Sequence, residues 1–255
     1  MNIIVVLRNL YNNADIFDDE EYLGKSDRNI ISEALIAKDK VGGKVSVLLL
    51  AEDVKNSDQT LKSALSLGVD DAYHLAIDDF DFSDYHTSAK LIAKSIEENF
   101  SDFDLVLFGR LAYDGDAVNI STLVSEYLNI PRIVYSKEFE AFEKSIISKK
   151  YITREEAYEL EVNTPLVLQS MREKGLVRHP KVSDIMRAYN EVEIIKLNGK
   201  EILKNNGIKK EENSIELIKN FSPESNLDKE LKILNGVSDI ESSKNLIEVL
   251  RGLGF

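Results

Sequence analysis

The chain has no cysteine, no tryptophan, three histidines and four prolines among its 255 residues. Without cysteine there is no disulfide, no thiolate nucleophile and no cysteine-ligated iron–sulfur cluster. His74, His86 and His179 stand far apart, without the spacing of metal ligands, and read as structural or surface histidines. No apolar run approaches the roughly 18 residues that a membrane span requires. Positive charge is short as well: 32 Lys and Arg face 45 Asp and Glu, for a net charge of -13. A chain that grips a nucleic-acid backbone needs a basic face, so nucleic acid is not an expected partner. The start, Met1–Arg8, has neither the basic region nor the cleavage site of a signal peptide, and a cytoplasmic protein is expected. There is no Walker loop, no Gly-x-Ser-x-Gly elbow and no histidine paired with serine. Redox work, if any, must then sit on a borrowed organic cofactor.

The stretch from Asp104 to Asp116 organises what is present. Five mostly apolar residues run into Gly109, two aspartates flank Gly115, and a helical pattern follows from Ala117 to Leu128. Strand, glycine turn and helix N-terminus form the layout by which open α/β sheets bind nucleotides. Gly109 lets a backbone approach a ligand, and Asp116 is placed to cap the next helix. The same pattern also fits a plain capped helix after a strand. Two aspartates repel a phosphate, so Asp114 and Asp116 suit ribose hydroxyls or the turn itself.

Around this stretch, apolar strands at 2–8, 44–51, 71–76 and 105–108 alternate with helical patterns that start near Asp27, Asp58, Tyr85 and Ala117. That alternation implies a doubly wound, mostly parallel α/β sheet. After Pro131, short strands at 133–136, 145–153 and 157–162 read as an antiparallel addition, and 165–171 as a further strand. Arg172–Ser183 reads as an exposed basic loop before a short helix at Ile185–Tyr189. The expected division is an α/β domain over 1–196 and a C-terminal arm and helix over 197–255, because 197–238 is rich in Lys, Asn, Glu and Ser. The acidic residues Asp78, Asp79, Asp81 and Asp84 lack EF-hand spacing and read as a solvated loop. Tyr11, Tyr113 and Tyr127 read as packing residues.

Four motifs in order make the chain resemble the electron transfer flavoprotein beta subunit family nearly end to end. Leu105–Ala117 is similar to the family's L-[IV]-L-x-G-[RK]-Q-A-x-D-G-D-T, and Gly24–Leu35 to its N-P-x-D-x-x-A-x-E-E-A-L. Ala64–Ala72 is similar to L-x-x-G-x-x-x-A, and Val177–Ala188 to P-R-Y-x-x-x-x-x-I-M-x-A. The resemblance implies an adenine-nucleotide α-hydrolase-like fold and an electron transfer flavoprotein alpha subunit as partner. FAD would be held mainly by that alpha subunit, with AMP or a second FAD in the beta site. Carried over, that site comprises Val6, Gly24, Lys25, Ser26, Asp27 and Leu50, then Gly109, Arg110, Asp114, Gly115, Asp116, Ala117, Val118 and Asn119. A recognition loop with Lys174, Arg178, His179, Val182, Ile185 and Met186 would dock an acyl-CoA dehydrogenase-like flavoenzyme.

The departures cluster at the nucleotide. Arg8-Asn9-Leu10 stands for the family's K-x-V and Gly24-Lys25 for Asn-Pro, while Ala117, Asn119 and Ser121 replace Thr, Gln and Gly. The leading expectation is a beta subunit that relays electrons between a dehydrogenase and an acceptor. An electron-bifurcating form with a second FAD oxidising NADH, and a stand-alone adenine-nucleotide sensor, are the alternatives.

Overall fold

The computed structural model describes residues 1–8, 22–52, 55–82, 84–109, 111–112, 115–116, 118–151, 153, 156–171, 177–209, 234 and 236–252. They fall into two compact units, Met1–Asn213 and Ser214–Phe255. The first begins with β1 (Asn2–Arg8), α1 (Lys25–Val41), β2 (Lys44–Ala51), α2 (Lys55–Ser66), β3 (Asp71–Ala76), α3 (Tyr85–Asn99) and β4 (Leu105–Phe108). A small hairpin of β5 (Leu111–Ala112) and β6 (Gly115–Asp116) leads to α4 (Val118–Leu128) and β7 (Arg132–Ser136). Then come β8 (Glu138–Ala141), β9 (Ser145–Tyr151), β10 (Ala157–Asn163) and β11 (Leu166–Ser170). The unit closes with α5 (Val182–Asn190), β12 (Ile195–Asn198) and α6 (Gly199–Asn205).

Seven strands form one sheet in the order β12-β3-β2-β1-β4-β11-β7, and every pairing is parallel. Helices cover both faces, so the central strands have no solvent side and read as unbroken apolar runs. In β1, Ile3, Val5 and Leu7 pack with α1 and α2, while Ile4 and Val6 pack with α3 and α4. Leu107 lies at the middle of this sheet, fully buried. Leu107→Ala is expected to cost about 2–5 kcal/mol of stability, read as a lowered urea midpoint.

Gly43 shows why the first strand needs a glycine beside it. Its φ is 108°, and a Cβ there would lie 2.0 Å from the Met1 carbonyl oxygen. The absent side chain lets the chain start tuck in, where the N-terminal ammonium donates to the Gly42 carbonyl at 2.9 Å.

Two expectations shift. Ile133–Ser136 belongs to β7, a parallel neighbour of β11, rather than to the antiparallel addition. That addition is β10-β9-β8, an excursion between two strands of the main sheet. Short apolar runs do not say which sheet they join, and β8, with two glutamates in four residues, has no apolar run to mark it. The compact unit also continues past residue 196. Leu197 lies in β12, paired with Leu75 of β3, and Ile202 of α6 is buried against the sheet. A polar composition can hide two anchoring apolar residues.

The second unit contains α7 (Asp239–Gly252), none of whose residues is buried. Ile240, Leu246, Ile247 and Leu250 are exposed along it. No described helix is long and apolar enough to cross a membrane.

Candidate functional site

Chain order runs outward from β1 through β2 to β3, then returns to place β4 on the other side of β1. That reversal opens a crevice at the carboxyl ends of β1 and β4, where open α/β sheets bind ligands. Val6 is in register with Phe108, so Leu7 and Gly109 come next and Arg8 ends β1 at the crevice floor. Leu50 is in register with Arg8 on the adjoining strand. Val6 and Leu50 are both buried and shape the crevice from below.

The N-terminus of α1 forms one wall. A Cβ on Gly109 would stand 3.1 Å from Ser26 Oγ and 3.8 Å from Ile30 Cγ2, so the glycine lets strand end and helix start meet. Gly24 is the N-cap of α1 and offers no side-chain cap. Its carbonyl accepts from the Arg28 amide at 3.0 Å, closing the first turn. The next amides have no partner inside the helix and favour an anion.

The Asp27 carboxyl is hydrogen-bonded by the backbone of the cap residue, Gly24. It keeps part of its surface, yet burial pushes this group from 3.8 up to about 7, against the opposing pull of the Gly24 hydrogen bond. The folded protein therefore holds a proton that the unfolded chain has released between about pH 4 and 7. Stability from this group is full at low pH and is lost as pH rises towards 7. Asp27→Asn keeps an acceptor for Gly24 and removes the titration. It is expected to be more stable than the parent at pH 8, with the gap closing by pH 5, in paired urea melts.

Arg8 was not among the expected site residues, though its place at the end of β1 marks it. Its Nη2 donates to the Phe82 carbonyl at 2.8 Å, and its guanidinium lies 5.8 Å from the Tyr85 ring centre. It ties the loop before α3 to the crevice floor. Asp84, expected in a solvated loop, is instead buried as the N-cap of α3 and accepts from the Thr87 amide at 3.0 Å. A carboxylate that caps a helix is held in by the amide it satisfies. Asp78, Asp79 and Asp81 are exposed. His74 is a buried core histidine, its Nε2 3.2 Å from the Glu52 carbonyl oxygen, whereas His86 and His179 are exposed. Among the described residues no cluster of His, Asp or Glu could hold a metal.

Of the remaining expected site residues, Gly115 and Asp116 pair with Ala112 and Leu111 in the hairpin. The helix α4 begins at Val118, so Asp116 stands two residues ahead of it rather than at its cap. Asn119, in the first turn of α4, is exposed. Arg110, Asp114, Ala117 and Lys174, like Tyr11 and Tyr113, lie outside the described residues, as does the Lys25 side chain.

A second surface lies on α5. Val182, Ile185, Met186 and Tyr189 are exposed, at 74%, 39%, 59% and 53%, and share one side of the helix by their spacing of three, four and seven. Tyr189, one turn beyond Ile185 and Met186, completes the stripe. Arg178 is not part of it: its amide donates to Ser32 Oγ at 2.9 Å and its guanidinium pairs with Asp39 at 3.0 Å, both on α1.

A mostly parallel sheet with helices on both faces and a crevice at its switch point defines a doubly wound α/β protein. The sequence profile of the electron transfer flavoprotein domain matches residues 17–197. The electron transfer flavoprotein subunit beta of Thermoanaerobacterium thermosaccharolyticum is 31% identical over 219 residues, covering 80% of this chain and 82% of its own. The subunit of the same name from Clostridium acetobutylicum is 29% identical over 204 residues, covering 75% and 76%. A caffeyl-CoA reductase–Etf complex subunit of Acetobacterium woodii is 29% identical over 170 residues, covering 66% and 63%. The chain belongs to the electron transfer flavoprotein family, and electron transfer is its class of function.

Proposed function

We propose that the chain is the beta subunit of a heterodimeric electron transfer flavoprotein that relays electrons between a dehydrogenase and an acceptor. The observation that carries this reading is the contact of Gly109 with the first turn of α1 at the switch point, inside the family-matched segment. FAD, held mainly by the alpha subunit, supplies the chemistry by taking up electrons from one protein and passing them to another. This chain's own residues bind and orient. Gly109 admits a ligand backbone-close, and the amides at the start of α1 attract a phosphate. The family resemblance adds Gly115, Asp116, Val118 and Asn119, with Arg110, Asp114 and Ala117, to the residues for this nucleotide. AMP is the proposed occupant.

The stripe on α5, with the Lys174–His179 segment before it, docks an acyl-CoA dehydrogenase-like flavoenzyme. Apolar side chains on a helix that is itself fixed suit a brief redox encounter. The C-terminal segment, with the exposed apolar residues of α7, packs on the alpha subunit.

Co-expression with the alpha subunit is expected to give a yellow complex, and this chain alone a colourless protein. Mass spectrometry of the denatured complex identifies the nucleotide. A stable chain that forms no flavin complex when the alpha subunit is supplied overturns the reading. The bifurcating form, with a second FAD oxidising NADH, draws support from relatives named for caffeyl-CoA and acryloyl-CoA reductase systems. Flavin stoichiometry separates the two: about one FAD per heterodimer for the AMP form, about two for the other.

A further inference from the structure

The helix α5 is nine residues long, and Ala188 is its one buried residue. A helix so short is marginal without support from its surroundings. Its N-cap, Lys181, makes no side-chain cap bond, so the first turn brings no anchor of its own. The anchors lie at the other end. There Lys62, half-buried on α2, donates through Nζ to the carbonyl of Ala188 and, at 2.8 Å, to that of Val192 just past the helix. The Ala188 carbonyl is among those that a helix end leaves without a partner inside the helix, and a cation there complements the negative end of the helix dipole.

A second cation works in the opposite direction. Arg187 reaches out of α5 and donates to the carbonyls of Val69 and Asp70, in the turn between α2 and β3. That turn is itself fixed, for the Asp70 carboxylate accepts from Lys38 Nζ at 2.7 Å and from the Val45 amide at 2.8 Å. The Lys62 ammonium also lies 6.0 Å from the Tyr189 ring centre, and the Tyr189 hydroxyl donates to Gln59 Oε1 at 3.3 Å, one turn before Lys62 on α2. All these ties hold the C-terminal half of α5. Val182, Ile185 and Met186 stand on the half that is carried. A helix that frays presents such a stripe for only part of the time, and its apparent affinity falls by that fraction.

We propose that Lys62 is a positioning residue for electron transfer: by holding the end of α5 it keeps Val182, Ile185 and Met186 presented to the redox partner, without touching that partner itself. The proposal rests on the docking role given to α5 above and adds the residue that holds the docking helix ready. Order in the free protein matters here because a brief encounter leaves little binding energy to fold a helix on arrival.

The test follows flavin reduction in the purified heterodimer by an acyl-CoA dehydrogenase kept reduced with excess acyl-CoA, over a range of dehydrogenase concentrations. Lys62→Met keeps the length of the side chain and removes its donors. It is expected to raise the half-saturating concentration about tenfold, the scale of a lost charge-assisted hydrogen bond, with the maximal rate kept. Lys62→Arg restores the donors and should return close to the parent. Lys94→Met, which takes an exposed lysine from Glu97 on α3, should change nothing. Hydrogen–deuterium exchange over Val182–Asn190 should quicken in Lys62→Met and in Arg187→Met, while slow exchange in β1 shows the sheet intact. A raised half-saturating concentration with α5 exchange unchanged means that Lys62 meets the partner directly, and overturns the proposal. An unchanged half-saturating concentration overturns it too, whatever the exchange, when Val182→Asp weakens docking in the same assay. If Val182→Asp has no effect, or the parent heterodimer takes no electrons from the dehydrogenase, the docking role of α5 falls and takes the proposal with it.

Discussion

Gly109→Val is expected to strip the nucleotide from the purified heterodimer. A single Cβ at this position already stands 3.1 Å from Ser26 Oγ and 3.8 Å from Ile30 Cγ2. Two more methyl groups leave no room, so strand end and helix start must part or the side chain must enter the crevice. Either outcome removes the close approach on which the site depends. Nucleotide per heterodimer, read by mass spectrometry after denaturation, should fall at least about tenfold, equivalent to about 1.4 kcal/mol of binding. Gly109→Ala should be milder, because the serine hydroxyl has only a few tenths of an ångström to yield. Combining it with Ser26→Ala should recover part of the loss, since the atom being struck is gone. A valine variant with undiminished nucleotide would mean that the ligand does not use this floor.

Electron delivery from the flavoenzyme partner should fail when charge is placed on α5. Val182→Asp and Met186→Asp each put a carboxylate where an apolar contact is proposed, and each should cut the partner-dependent rate by about thirtyfold. Flavin content and assembly should not change, because neither side chain holds the helix. Ala188→Asp is the contrasting case: Ala188 is buried, so that change should unfold the segment instead. Partner-dependent rates equal to the parent in both exposed variants would remove α5 from the docking role.

The sheet was legible in the sequence because each central strand is an apolar run ending in a turn. The buried β1, β2 and β4 carry little else, and Gly42-Gly43 and Gly68 end the helices and turns between them. Strand partnership was not legible. Nothing local in Arg132–Ser136 says that β11, thirty-odd residues on, will insert beside it in parallel. Polar composition masked β12 and α6, which hold through Leu197 and Ile202. At the site, Gly109 and the start of α1 stood out as motifs, and the structure brings them into contact. Asp27 did not stand out as a titrating group, since its raised carboxyl comes from burial, a property of the packed state. Arg178 looked like a free loop cation, and only the fold reveals Ser32 and Asp39 beneath it.

The helix α5 is fastened to its neighbours mainly through main-chain atoms. Lys62 Nζ donates to the carbonyls of Ala188 and Val192, and Arg187 donates to those of Val69 and Asp70. Those acceptors exist whatever side chains the residues carry. Tyr189 adds a side-chain tie, its hydroxyl donating to Gln59 Oε1 of α2 at 3.3 Å, but Val182, Ile185 and Met186 take no part in the fastening, so their identities can change without loosening the helix. A lineage could thus exchange one redox client for another through three interchangeable positions, leaving mount and nucleotide crevice as they are.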